Sequence, residues 1–84
     1  MSAGPCWNEN FTWNDLSPRQ QDIMLCLAKG MSNQEIADYL GIKLSTVRNN
    51  IATVYEWLGI TNRVQALLWV LAQDKLAIEV LNSA

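Results

Sequence analysis

Arg48, Asn49 and Asn50 stand in a row inside the stretch TVRNNIATVYEWLGI, residues 46–60. Their side chains carry planar arrays of hydrogen-bonding groups that match the edges of nucleic-acid bases. A guanidinium can bond guanine O6 and N7 together, a carboxamide can bond adenine N6 and N7, and the methyl group of Ala52 can meet a thymine methyl. This is the chemistry of recognition, without bond making or breaking. The chain has no histidine, no paired nucleophile and base, and no glycine-rich phosphate loop, which argues against an enzyme. Cys6 and Cys26 show no metal-ligand spacing, so neither a metal nor a cofactor is expected.

Whether those groups face outward depends on the element that holds them. Val47, Ile51, Val54 and Leu58 recur at the spacing of one helical face, which predicts an amphipathic helix with that stripe buried. At about 100° per residue, Asn49, Ala52, Thr53 and Glu56 then point outward, with Arg48 and Asn50 on the flanks. Ser45 is the expected cap of this helix and Gly59 its end.

Three further helices are legible from their ends. Ser17, Pro18 and Gln20 form a capping box with proline in the first turn and open helix one, which is expected to run to Lys29 before Gly30. Ser32 and Glu35 repeat the box ahead of Ile36, Ala37 and Leu40, and Gly41 closes this short helix two. Asn62 caps helix four, expected from Arg63 to about Gln73. Val64, Ala66, Leu67, Leu68, Trp69, Val70, Leu71 and Ala72 leave helix four almost no polar face, so a partner subunit is expected to cover part of it. Helix two, the tight turn and helix three make a helix-turn-helix. Exposed amides and hydroxyls at the starts of helices two and three can hold phosphates.

The chain has 84 residues, half of them apolar, enough for one small domain. The net charge is −2, which weakens phosphate attraction. Its distribution is uneven: residues 29–63 carry net +1, against −2 for residues 1–28 and −1 for residues 64–84. Cys26, within an apolar run, is expected to be a buried small residue. The N-terminal residues lack the basic and apolar regions of a signal peptide or a membrane span, which points to the cytoplasm.

The motifs Leu16-Ser-Pro-Arg-Gln-Gln-Asp-Ile-Met, Gly30-Met-Ser-Asn-Gln-Glu-Ile-Ala, Leu40-Gly-Ile, Ser45-Thr-Val-Arg-Asn, Leu58-Gly-Ile and Asn62-Arg-Val-Gln-Ala occur in order without a gap. Together they resemble the LuxR/FixJ-type DNA-binding domain from Leu16 to about Leu76. The resemblance implies an all-α, four-helix domain whose third helix lies in the major groove of double-stranded DNA and whose fourth pairs in a dimer. It also allows a stand-alone domain, since members of that family exist without a sensor module. The implied organisation is an N-terminal arm over residues 1–15, the helix-turn-helix domain over residues 16–76 and a C-terminal extension over residues 77–84. Trp7, Phe11 and Trp13 are expected to dock part of the arm.

Base contacts implied by the resemblance map onto Arg48, Asn49 and Ala52, beside which Thr53 also faces outward. Phosphate contacts map onto Asn33, Ser45, Thr46 and Arg63, with Lys43 close by. Val64, Leu67, Leu68, Trp69 and Leu71 make up the expected homodimer or heterodimer interface, with RNA polymerase or another regulator as a further partner. Glu56 and Trp57 depart from the family pattern, which tends to be basic there, and Leu25 replaces a polar position. These departures support an alternative, a protein-binding regulator that pairs with a related transcription factor and has little DNA affinity of its own.

Overall fold

The computed structural model describes residues 7–73. Cys6 and the rest of residues 1–6 lie outside the described residues, as do the C-terminal extension and the apolar run from Leu76 to Leu81. One turn of 3-10 helix, Trp13–Asp15, precedes α1 (Pro18–Ala28), α2 (Asn33–Leu40), α3 (Leu44–Leu58) and α4 (Arg63–Leu71). The described residues therefore form an all-α domain.

The helix ends follow from local chemistry. The Ser17 hydroxyl accepts from the Gln20 amide at 3.2 Å, and the Gln20 carboxamide accepts from the Ser17 amide at 3.0 Å. Ser32 and Glu35 close the same box on α2, at 3.1 and 2.8 Å. Each arrangement satisfies amides that the first turn leaves without helical partners. The turn between α2 and α3 needs a left-handed residue, which Gly41 supplies at φ 69° while its amide bonds to the Ala37 carbonyl. Gly59 ends α3 in the same conformation, at φ 73°. The Asn62 side chain caps α4 by accepting from the Gln65 amide.

Three boundaries differ from the sequence expectation, the smallest being that α1 ends at Ala28, with Lys29 as its cap rather than its last residue. Helix α3 begins at Leu44, so the backbone of Lys43 occupies the cap position, no side chain caps the helix, and Ser45 and Thr46 lie in its first turn. The physical reason is Leu44, which packs against the core. Starting the helix there puts residues 44, 47 and 51 on one face. Helix α4 ends at Leu71, two residues early, and the Gln73 side chain folds back to donate to the Trp69 carbonyl.

The core joins all four helices: Ile23, Met24 and Leu27 from α1, Ile36 from α2, Val47, Val54 and Leu58 from α3, and Ala66, Trp69 and Val70 from α4. Cys26 is buried among them, and burial raises its thiol pKa. Helix α1 is the hub. It packs on α2, α3 and α4, and α2 packs on α3, whereas the backbones of α3 and α4 approach each other less closely. The arm lies over this junction, with Trp7, Phe11 and Trp13 packed against the core.

Candidate nucleic-acid interface

The stripe Val47, Ile51, Val54 and Leu58 is buried, which rotates Ser45, Arg48, Asn49, Ala52 and Glu56 to the solvent face of α3. Because the inward face is fixed by four core side chains, the outward face is presented on a rigid element, as base reading requires. Arg48 and Asn49 are exposed and keep their polar ends free of hydrogen bonds within the described residues. Asn50 is not equivalent to Asn49. It is half-buried, and its Nδ2 donates to the Thr46 carbonyl at 2.8 Å. Asn49 is thus the exposed carboxamide of the pair. Thr53 is also half-buried, and its hydroxyl donates to the Asn49 carbonyl at 2.9 Å, leaving its methyl group and an acceptor lone pair for outside contacts.

Beside this ridge lies an open cleft lined by Gly30, Ser32, Asn33, Gln34, Leu44, Arg48 and Arg63. The fold thereby brings Asn33 at the start of α2, Arg48 on α3 and Arg63 at the start of α4 into one concavity. Lys43 and Ser45 are exposed at the start of α3, while Thr46 is half-buried. Gly30 and Gln34 line the same cleft and were not singled out from sequence. The sequence signal for Gln34 was its place in the first turn of α2, where the exposed amides converge.

Arg63 has a structural duty as well. One terminal nitrogen of its guanidinium donates to the Met31 carbonyl, stitching the start of α4 to the link between α1 and α2. Arg63 also lines the cleft, and this bond makes it a fixed cation rather than a swinging one. Glu35 lies close enough to feel that charge. Its carboxyl is held below the usual range mainly by the Ser32 amide and then by the Ser32 hydroxyl, with Arg63 adding a smaller effect.

This depression carries a pH signature. A carboxylate favoured in the fold contributes stability that is full above the ordinary glutamate pKa of about 4.3 and is lost as pH falls through the lower folded value. Glu35→Gln keeps a capping acceptor without the charge. Wild type is therefore expected to be the more stable of the two near neutrality and to lose that advantage as pH falls through the lowered folded pKa of Glu35, as read by thermal melts from neutral to acid pH. An advantage independent of pH would contradict this assignment.

The expected partner face on α4 divides in the structure. Val64 is 64% and Leu68 49% exposed, and Leu67 and Leu71 are half-buried. Trp69 departs from the expectation: it is 1% exposed and packs inside the chain against Phe11 and Trp13 of the arm, with ring centroids 6.0 and 5.9 Å away. The arm thus covers the Trp69 side of α4, while Val64 and Leu68 stay exposed. Trp57 remains 43% exposed but is also paired with Phe11, at 5.6 Å.

Among the described residues no cluster of side chains suits a metal ion, and no helix is long and apolar enough to cross a membrane. Residues 14–70 match GerE, "Bacterial regulatory proteins, luxR family". Among characterised proteins, the chain is 45% identical over 53 residues to "Probable HTH-type transcriptional regulator GfsR" of Streptomyces halstedii, covering 63% of this chain and 22% of that one. It is 39% identical over 54 residues to "Transcriptional regulatory protein DesR" of Bacillus subtilis, covering 64% and 27%. It is 37% identical over 54 residues to "Response regulator protein VraR" of Staphylococcus aureus, covering 64% and 26%. The match thus spans about a quarter of the length of each relative.

Proposed function

The chain belongs to the luxR family of bacterial regulatory proteins, transcriptional regulators built on a DNA-binding helix-turn-helix, and from that premise we propose that it binds double-stranded DNA as a dimer with α3 in the major groove. The observation that carries this reading is the exposed ridge of Arg48, Asn49 and Ala52, held by the buried stripe of α3 beside a cleft that gathers Asn33 and Arg63. In this reading Arg48 bonds a guanine edge, Asn49 an adenine edge, and Ala52 and the Thr53 methyl group meet thymine methyls. Asn33, Lys43, Ser45, Thr46 and Arg63 hold phosphates, aided by the amides at the starts of α2 and α3. A dimer doubles the short half-site that one α3 can cover, which offsets the small number of cations.

Glu56 limits the interface. It is exposed on the reading face, near where the α3 C-terminus would approach the DNA backbone, and repels phosphate. Glu56→Lys is expected to tighten binding about tenfold at 0.1 M salt irrespective of sequence, and to steepen the salt dependence by about one phosphate equivalent. Fluorescence anisotropy across a salt series reads both quantities. Unchanged affinity and slope would place the C-terminal end of α3 away from DNA.

The dimer is assigned to Val64, Leu67, Leu68 and Leu71. Leu68→Glu alters a half-exposed position, so the fold is expected to survive while sedimentation shows a dimer replaced by a monomer. A wild-type monomer at micromolar concentration, or a dimer indifferent to the charge, would refute the interface.

A second reading is favoured by the apolar groups at Trp57, Val64 and Leu68 together with Glu56. It is a protein-binding regulator that pairs through α4 with a related transcription factor and has little DNA affinity. RNA polymerase is a further candidate partner under either reading.

A further inference from the structure

Helices α3 and α4 each pack on α1, and their backbones approach each other less closely than they approach α1, although side chains of both enter the shared core. The Phe11 ring lies between them, 5.6 Å from the Trp57 ring on α3 and 6.0 Å from the Trp69 ring on α4, tilted by 43° and 38°. Both separations are within the range of favourable aromatic pairs. Trp13 supports the far side of the assembly at 5.9 Å from Trp69.

The segment that carries Phe11 is fixed at both ends. At one end the Asn8 amide donates to the Leu58 carbonyl at 2.8 Å, satisfying one of the carbonyls that the last turn of α3 leaves without a helical partner. At the other end Gln21 Nε2 on α1 donates to the carbonyls of Trp13 and Leu16, at 3.1 and 3.4 Å. Between these anchors, the Phe11 amide donates to the Asn8 carbonyl at 3.2 Å, closing the turn that carries the ring, and Asp15 Oδ2 accepts from the Thr12 amide and hydroxyl at 2.8 and 3.1 Å, capping the 3-10 turn that follows.

We propose that residues 8–13 form a strut that fixes the angle between α3 and α4, with Phe11 as its positioning residue. The strut explains the aromatic Trp57 near the end of the reading helix: it is the seat for the arm. In a dimer formed through α4, the α3–α4 angle sets the separation of the two reading helices and so the spacing of half-sites that the dimer accepts. That consequence rests on the DNA reading above, whereas the strut does not.

A mutant cycle in the full chain tests the strut without DNA. Trp57→Ala and Trp69→Leu, each of which takes an aromatic partner from Phe11, are combined in the Phe11 background and in Phe11→Leu, which keeps apolar bulk and removes the ring. With Phe11 present, the effects of the two substitutions on the unfolding constant are expected to be non-additive by threefold or more, on the order of one aromatic pair. In Phe11→Leu they are expected to be additive within about twofold, as for residues with no shared partner. Additivity in both backgrounds, or equal coupling in both, would overturn the proposal.

On duplexes that bind wild type, Phe11→Leu is expected to flatten the preference among dyad spacings while retaining affinity for one half-site. An unchanged spacing preference would also count against the strut. If wild type binds no duplex, the DNA reading alone falls and the cycle still decides the strut.

Discussion

Trp69→Ala is expected to leave the protein largely unfolded at 25 °C. Trp69 is 1% exposed and joins α4 to Phe11 and Trp13, two of the three aromatic residues of the arm. Truncating a buried tryptophan costs about 3–5 kcal/mol in lost burial and cavity formation, and two aromatic pairs are lost with it. Small domains start near the lower end of a stability range of about 5–15 kcal/mol, so little would remain. Denaturant unfolding followed by far-UV circular dichroism reads the loss. Trp69→Phe, which keeps a ring for Phe11 and Trp13, is expected to retain a cooperative transition at a lower midpoint. The opposite pattern, an intact fold with altered self-association, would mean that Trp69 is an interface residue after all.

Arg48→Ala is expected to act on binding and leave folding alone. Arg48 is exposed and shares the cleft with Asn33 and Arg63, so no core contact is lost. A bidentate guanidinium–guanine pair is worth about 1–3 kcal/mol of discrimination, or roughly fivefold to 150-fold in affinity for the preferred sequence. Affinity for unrelated duplex is expected to fall less, through the loss of one positive charge. Anisotropy titrations of matched and unrelated duplexes, with melts as a control for folding, separate the two contributions. An equal loss on both duplexes would make Arg48 a phosphate contact and move base reading to Asn49 and its neighbours.

How much of this was legible in the sequence depends on the range of the interaction that decides each feature. The boxes at Ser17–Gln20 and Ser32–Glu35, the Asn62 cap and the glycines at 41 and 59 act within a few residues, and their positions follow from residue type. The inward stripe of α3 is likewise set by period alone. The start of α3 was misjudged because Leu44 gains core contacts that outweigh a side-chain cap at Ser45, and core contacts are tertiary. Trp69 was assigned outward for a related reason: α4 looks apolar all round until the arm folds over it, and the destination of the arm is a long-range choice. The difference between Asn49 and Asn50 lies in one rotamer, in which the latter bonds back to Thr46. The helical period already separates the two, with Asn49 outward and Asn50 on the flank, but it does not specify that bond.

Trp57 illustrates the same point at the site. From sequence it read as an apolar group suited to a protein surface. In the structure part of that surface belongs to the chain itself, through Phe11, while a large fraction of the indole stays in solvent. Glu56, by contrast, is exposed on the reading face as its period implied.

Selection from a random duplex pool at about 50 mM salt, where phosphate attraction is least screened, tests most directly whether α3 reads DNA. The expected result is enrichment of one short motif, repeated with dyad symmetry, that wild type binds more tightly than unrelated duplex. No enrichment, with no binding at micromolar protein, would contradict the DNA reading and leave the protein-binding regulator in its place.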